Sequence, residues 1–212
     1  MTDAALLCLT QWLSPAFPAG SYAYSHGLEW AISDGDVTTA AQLQCWIAAV
    51  LTEGAGRTDA ILLAQALRPE TDLADLAALA QALAASGERL VETLDQGRAL
   101  GQTIAALTGR AEKAMPYPVA LGAAARDLGL PVARVAALYL HAFASTLVQA
   151  GVRFVPLGQT EGQAVLAALH PVILQVAQDA ACAGIDRIGS GALRSDLAGM
   201  HHETMNVRIF RT

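Results

Sequence analysis

Charge is scarce in this 212-residue chain: 15% of its residues are charged and 54% are hydrophobic. An ordinary soluble domain is about 25% charged. Disorder requires the opposite balance and is excluded. Lysine is almost absent, with Lys113 alone beside twelve arginines, and the formal net charge is −6. Nucleic-acid binders need a surplus of cations to displace counterions, and anionic membrane surfaces recruit the same surplus. Neither partner is expected.

Cysteine is sparse as well. Cys8, Cys45 and Cys182 are an odd, widely separated set with no C-x-x-C pair. They encode neither a disulfide framework nor a zinc knuckle. A reducing, cytoplasmic compartment fits this usage. No cationic stretch precedes Asp3, the first charge, so the N-terminus does not read as a signal peptide. The uncharged run Val135 to Val152 just reaches the length of a membrane span. It carries His141, Ser145, Thr146 and Gln149 and reads as a buried core helix.

Strand signals and familiar catalytic motifs are missing too. No Asn-Gly or Asp-Gly turn lies between alternating β-branched runs. There is no Gly-Lys-Ser/Thr phosphate loop, no G-x-G-x-x-G, no H-E-x-x-H and no G-x-S-x-G elbow. Asp34 with Asp36 and Asp72 with Asp75 lie in polar stretches and read as exposed surface carboxylates, not as catalytic acid–base pairs. His201-His202-Glu203 is the densest group of metal-ligand types, but neighbours on a helix diverge by about 100° and do not chelate easily. His26, His141 and His170 each stand alone in sequence and read as core or surface histidines. No enzyme, metal site or cofactor is expected.

What is present is helix. Ala and Leu dominate and both favour it, so the fold class is all-α: about ten helices in a single domain over 1–212, with a short tail at 207–212. Gly and Pro delimit helices over 3–13, 22–33, 40–53, 58–68, 71–85, 88–107, 116–128, 131–150, 160–183 and 195–206. Thr38 or Thr39 caps the third, whose stripe is Leu43, Trp46, Ile47, Val50 and Leu51. Gly87 reads as a C-cap signal, Pro171 should kink or split its helix, and 184–195 reads as a flexible loop.

Six of the eleven aromatics fall in the first 46 residues. Trp12, Trp30 and Trp46 are expected in the core. Tyr22 and Tyr24 follow a Pro/Gly loop, and their hydroxyls need partners. At the other end, Arg208, Phe210 and Arg211 follow the last helix, where chains usually fray. A tail with Phe between two Arg gains little from lying free in water. It docks either on its own domain or on another protein.

Three blocks carry a family resemblance. Ser14-Pro15 through Pro18-Ala19-Gly20-Ser21-Tyr22-Ala23-Tyr24-Ser25-His26-Gly27-Leu28-Glu29 is the first. Val152-Arg153-Phe154-Val155-Pro156-Leu157-Gly158-Gln159-Thr160 with Gly162-Gln163 is the second, and His202-Glu203 with Arg208-Ile209-Phe210-Arg211-Thr212 the third. Glu92-Thr93 with Gln96-Gly97-Arg98 is a looser fourth. In this order they resemble the urease accessory protein UreF family, whose pattern more often has Val or Ile at position 19 and Ser at the end.

The resemblance implies an all-α homodimer without enzyme activity. It implies partners: UreD (also called UreH), the GTPase UreG and apo-urease, to which their complex delivers nickel. Partner-binding residues carried over are Tyr22, Tyr24, Ser25, His26 and Glu29, with His202, Glu203, Arg208, Phe210 and Arg211. His202 and Glu203 would hold the tail's geometry, and the tail would become ordered when UreD binds. Two alternatives stay open: an Arg finger for UreG from Arg153, Arg208 or Arg211, and a nickel chaperone using His201, His202 or Cys182.

Overall fold

The helical periodicity resolves, in a computed structural model that describes residues 2–109 and 113–211, into eleven α-helices and three 3-10 turns, with no strand among the described residues. The helices are α1 (Asp3–Trp12), α2 (Leu28–Ser33), α3 (Ala40–Glu53), α4 (Ala55–Ala66), α5 (Leu73–Ala82) and α6 (Gly87–Thr108). After them come α7 (Tyr117–Ala125), α8 (Val132–Phe154), α9 (Gln159–Ala168), α10 (His170–Cys182) and α11 (Leu193–His202). The all-α expectation holds.

Helix α4 is the axis. Every residue from Ala60 to Ala66 is buried, a pattern that suits a helix surrounded on all sides. It packs against α7, α10, α3, α8 and α5. Helix α8 is long and apolar enough to span a membrane by length and composition. Half of that stretch is nevertheless buried in the core, through Val135, Ala136, Tyr139, Leu140, Ala144, Leu147 and Val148. Trp12 and Trp46 join the core as expected, while Trp30 is only partly buried.

Local chemistry sets the ends. Thr39 accepts from the Gln42 N–H at 3.3 Å and caps α3, whose buried stripe is the expected one. Asp72 accepts from the Ala74 and Asp75 N–H groups at the start of α5. Pro171 falls in the first turn of α10, and α9 and α10 meet at a 41° bend, so the expected 160–183 helix is split.

Several boundaries differ from expectation. Gly87 opens α6 instead of ending a helix, because Ser86 caps it by accepting from the Arg89 N–H. Gly151 does not stop α8, which runs on to Phe154: the space its missing side chain leaves is where Leu43 of α3 packs. Span 184–195 holds a 3-10 turn and the start of α11. It is tied down by the Gly191 N–H to the Glu53 carbonyl at 2.7 Å and by Thr58 to the Gly189 carbonyl at 3.2 Å. Helix α11 starts at Leu193, ahead of the expected 195, and Ser195 bonds back to the Ala192 carbonyl.

The largest difference is at 22–33. Ser21–Ala23 forms a 3-10 turn, Tyr24 is extended, and helix begins only at Leu28. His26 and Gly27 lie in the left-handed region, at φ 52° and 73°. A Cβ on Gly27 would sit 2.5 Å from the Gly199 nitrogen of α11. Gly27→Ala is therefore expected to lose at least about 2 kcal/mol in urea unfolding, from left-handed strain of about 1–2 kcal/mol plus overpacking, with α2 forced away from α11.

Candidate functional site

The left-handed pair at His26 and Gly27 turns the chain into α2 and sets Glu29 in its first turn. Ser25 Oγ accepts from the Glu29 N–H at 3.3 Å. Glu29 is 6% exposed and faces the C-terminal tail. Its Oε1 accepts from the Ile209 N–H and its Oε2 from the Phe210 N–H, both at 2.9 Å. His202 Nε2 approaches the same Oε2 at 3.1 Å.

His202, fully buried at the end of α11, also lies 2.7 Å through Nδ1 from Glu88 Oε2. A neutral imidazole offers one donor, so both contacts are hydrogen bonds only with the doubly protonated ring. Glu88 stands in the first turn of α6 and pairs through Oε1 with Arg208. Its own N–H donates to Glu203 Oε1 at 3.0 Å, which sets a carboxylate on the positive end of α6. His202 and Glu203 are thus the residues that bind the end of α11, the start of α6 and the tail together.

The tail runs from there across the N-terminal block. The Arg211 N–H donates to the Ala23 carbonyl at 2.7 Å, and its side chain bonds to the Tyr24 hydroxyl. Burial pushes the Tyr24 phenol up; the Arg211 hydrogen bond opposes this, and Glu92 and Asp95 add to the rise. Phe210 inserts, with its ring 5.4 Å from that of Phe154 and the Arg153 guanidinium 5.8 Å from its centre. Phe210 alone of the strip is buried, while Val207 and Ile209 are 78% and 69% exposed and Arg208 and Arg211 also face outward. Of the two docking possibilities for the tail, the structure has the one on its own domain. Thr212 lies outside the described residues.

The three sequence blocks meet here, although Glu29, Phe154 and Phe210 are far apart in the chain. Tyr22 is exposed, as are Glu203 and Arg211, and the Arg208 side chain is 41% exposed. Tyr24, Ser25, Glu29, His202 and Phe210 are buried and shape the surface from beneath.

A second polar cluster adjoins the first through His26, and much of it was not singled out from sequence. His26 Nε2 lies 3.1 Å from Glu92 Oε1, and the His26 ring packs on Phe143 at 4.6 Å. Arg89 pairs with Asp59 at 2.6 Å and with Glu92 at 3.0 Å. The Tyr139 hydroxyl donates to Asp59 at 2.6 Å, and Gln96 donates to Glu92. Burial would raise the Glu92 carboxyl, but the charges of Arg89 and His26 and their hydrogen bonds prevail and hold it at about 2. Burial works against the Arg89 cation, yet Asp59 and Glu92 outweigh it and raise its pKa. Tyr139 and Tyr117 are pushed up, by burial first and then by Asp59. Cavities of about 70 and 310 Å³ both reach His26, Asp59 and Arg89.

The residues held open for metal are not gathered. His201 stacks on Trp30 at 4.9 Å, His202 is held between two carboxylates, and Cys182 is exposed at the end of α10. Elsewhere, the structure brings together two histidines that stand alone in sequence: the rings of His141 and His170 are 5.6 Å apart. Partial burial, and then the neighbouring His170, lower the His141 pKa.

Comparison with known proteins decides the lineage. Residues 37–170 match the sequence profile of the UreF family. The chain belongs to the UreF family. Among its relatives, a protein of Cereibacter sphaeroides (strain KD131) named urease accessory protein UreF is 66% identical over 210 residues, covering 99% of this chain and all of the relative. Proteins of the same name from Dinoroseobacter shibae and Paracoccus denitrificans are 54% and 49% identical, with 99% of this chain covered in each case and 99% and 97% of the relatives. The family profile covers residues 37–170, so it leaves out both Glu29 and the tail it holds. The full-length relatives span both.

Proposed function

We propose that this chain is a non-enzymatic urease accessory protein, acting in the cytoplasm as a homodimeric adaptor. It bridges UreD (UreH) and the GTPase UreG and regulates GTP-dependent delivery of nickel to apo-urease. The observation that carries this reading is the convergence of three separate sequence blocks on a surface tail. Family membership supplies the urease context, and the tail supplies the means. It turns Phe210 inward and leaves Val207, Ile209 and the cations Arg208 and Arg211 outward. Helix α11 adds an exposed apolar stripe, Leu193, Leu197 and Met200, at helical spacing. Exposed apolar surface with Arg nearby suits protein docking.

Arg208 tests it. Its side chain is 41% exposed, so its pairing with Glu88 is largely screened by water and Arg208→Ala should change stability by less than about 1 kcal/mol. Recruitment of UreG to the UreD complex, measured by pull-down, should fall at least tenfold. Wild-type recruitment would remove the tail from the partner surface.

One observation favours a second reading, direct activation of UreG. Arg153, Arg208 and Arg211 gather at the tail, with Arg153 over the Phe210 ring. Single-turnover GTP hydrolysis by UreG separates the two, because an inserted Arg accelerates it by 10³–10⁵ and a passive bridge does not.

A further inference from the structure

His141 lies midway along α8 and His170 opens α10, the two helices being packed together. Both side chains are exposed, and their ring centres are 5.6 Å apart with planes inclined at 44°. Among the described residues neither ring has a hydrogen-bond partner, so the nitrogens are free to bind something else. Sequence spacing gives no hint of the pair, because 28 residues and helix α9 separate them.

The separation is informative. An imidazole nitrogen sits about 2.0–2.1 Å from a bound transition ion. Adding the distance from nitrogen to ring centre, two imidazoles on one ion have centres about 4.5 to 6.5 Å apart as the angle at the metal opens from square to linear. The observed spacing falls inside this window, near the value for an angle of about 120°. Two imidazoles and no carboxylate favour late first-row divalent ions over Mg²⁺ or Ca²⁺. Solvent would fill the remaining positions, because both side chains are exposed, with His141 at the rim of the 310 Å³ cavity.

We propose that His141 and His170 form a two-imidazole site for a late first-row divalent ion on the α8–α10 face. The site is independent of the tail and of the adaptor reading. The probe is Ni²⁺ alone, because Zn²⁺ and Cu²⁺ would also be drawn to the exposed thiols of Cys45 and Cys182. Calorimetric titration of the full chain should show one Ni²⁺ per chain. His141→Ala and His170→Ala should each weaken binding at least tenfold with an unchanged helical spectrum, while His201→Ala should leave it unaltered. The double variant, left with no imidazole at the site, should bind no Ni²⁺ there, because each single variant keeps only one ligand. Affinity within twofold of wild type in either single variant would overturn the site. Two weakly bound Ni²⁺ per chain, one lost with each substitution, would show two separate histidines and overturn it equally.

Discussion

Glu29→Ala should unfold at a much lower urea concentration than the wild-type chain and release its C-terminal tail. The carboxylate serves three partners at once: two tail amides and the His202 ring. None is easily replaced by water, because Glu29, His202 and Phe210 are all buried. Leaving a buried polar group without its partner costs about 1–3 kcal/mol, and more beside a charge. Here two tail amides lose their acceptor and the buried His202 keeps only Glu88. A loss of that size is a large share of the 5–15 kcal/mol that holds an average domain together.

Glu29→Gln keeps the shape but offers one acceptor oxygen where two are used, and turns an N–H₂ towards an N–H donor. It should fall between wild type and alanine. Trypsin gives a local reading, since cleavage after Arg208 should accelerate in both variants before global unfolding. A wild-type urea midpoint together with a wild-type rate of tail cleavage would show that Glu29 does not hold the tail.

Much of the scaffold is legible in the sequence because it is local. The Thr39 cap, the α3 stripe and the break at Pro171 are set by residues within one or two turns of one another. So is the need of the tail to bury Phe210. Left-handed residues are harder to read: nothing in Tyr22 to Glu29 forbids a continuous helix, and the turn at His26 and Gly27 exists because Gly27 sits against α11. The candidate site is legible in its outward features only. Its motif blocks can be seen, but not that Glu88 joins His202 across 114 residues or that Arg89 joins Asp59 across 30. Such pairings follow from packing, and spacing along the chain carries no trace of them. Arg89, Glu92 and Gln96, three and four apart along α6, are the local signal, since positions i, i+3 and i+4 are neighbours on a helix face.

Arg89 should be the most sensitive residue in the second cluster. Arg89→Met removes the only guanidinium paired with Asp59 and Glu92 among the described residues. Both carboxylates are buried. Asp59 would keep the Tyr139 hydroxyl, and Glu92 would keep His26 and Gln96. The expected cost at pH 7 is about 3–5 kcal/mol, and its pH dependence distinguishes the cause from lost packing. In the wild type Glu92 is held at about 2, below its ordinary 4.5. Its contribution is present above the ordinary value and is lost as the pH falls through about 2. Without Arg89, burial, which raises the carboxyl, faces only His26. Protonation then relieves the variant as the pH falls, while the wild type still holds its pair. The difference in urea midpoint should therefore narrow between pH 7 and pH 4.5. Arg89→Lys, which restores the charge without the forked geometry, should recover part of the loss at pH 7. A gap of equal size at both pH values would mean that Arg89 stabilises α6 by packing its stem, not by its charge.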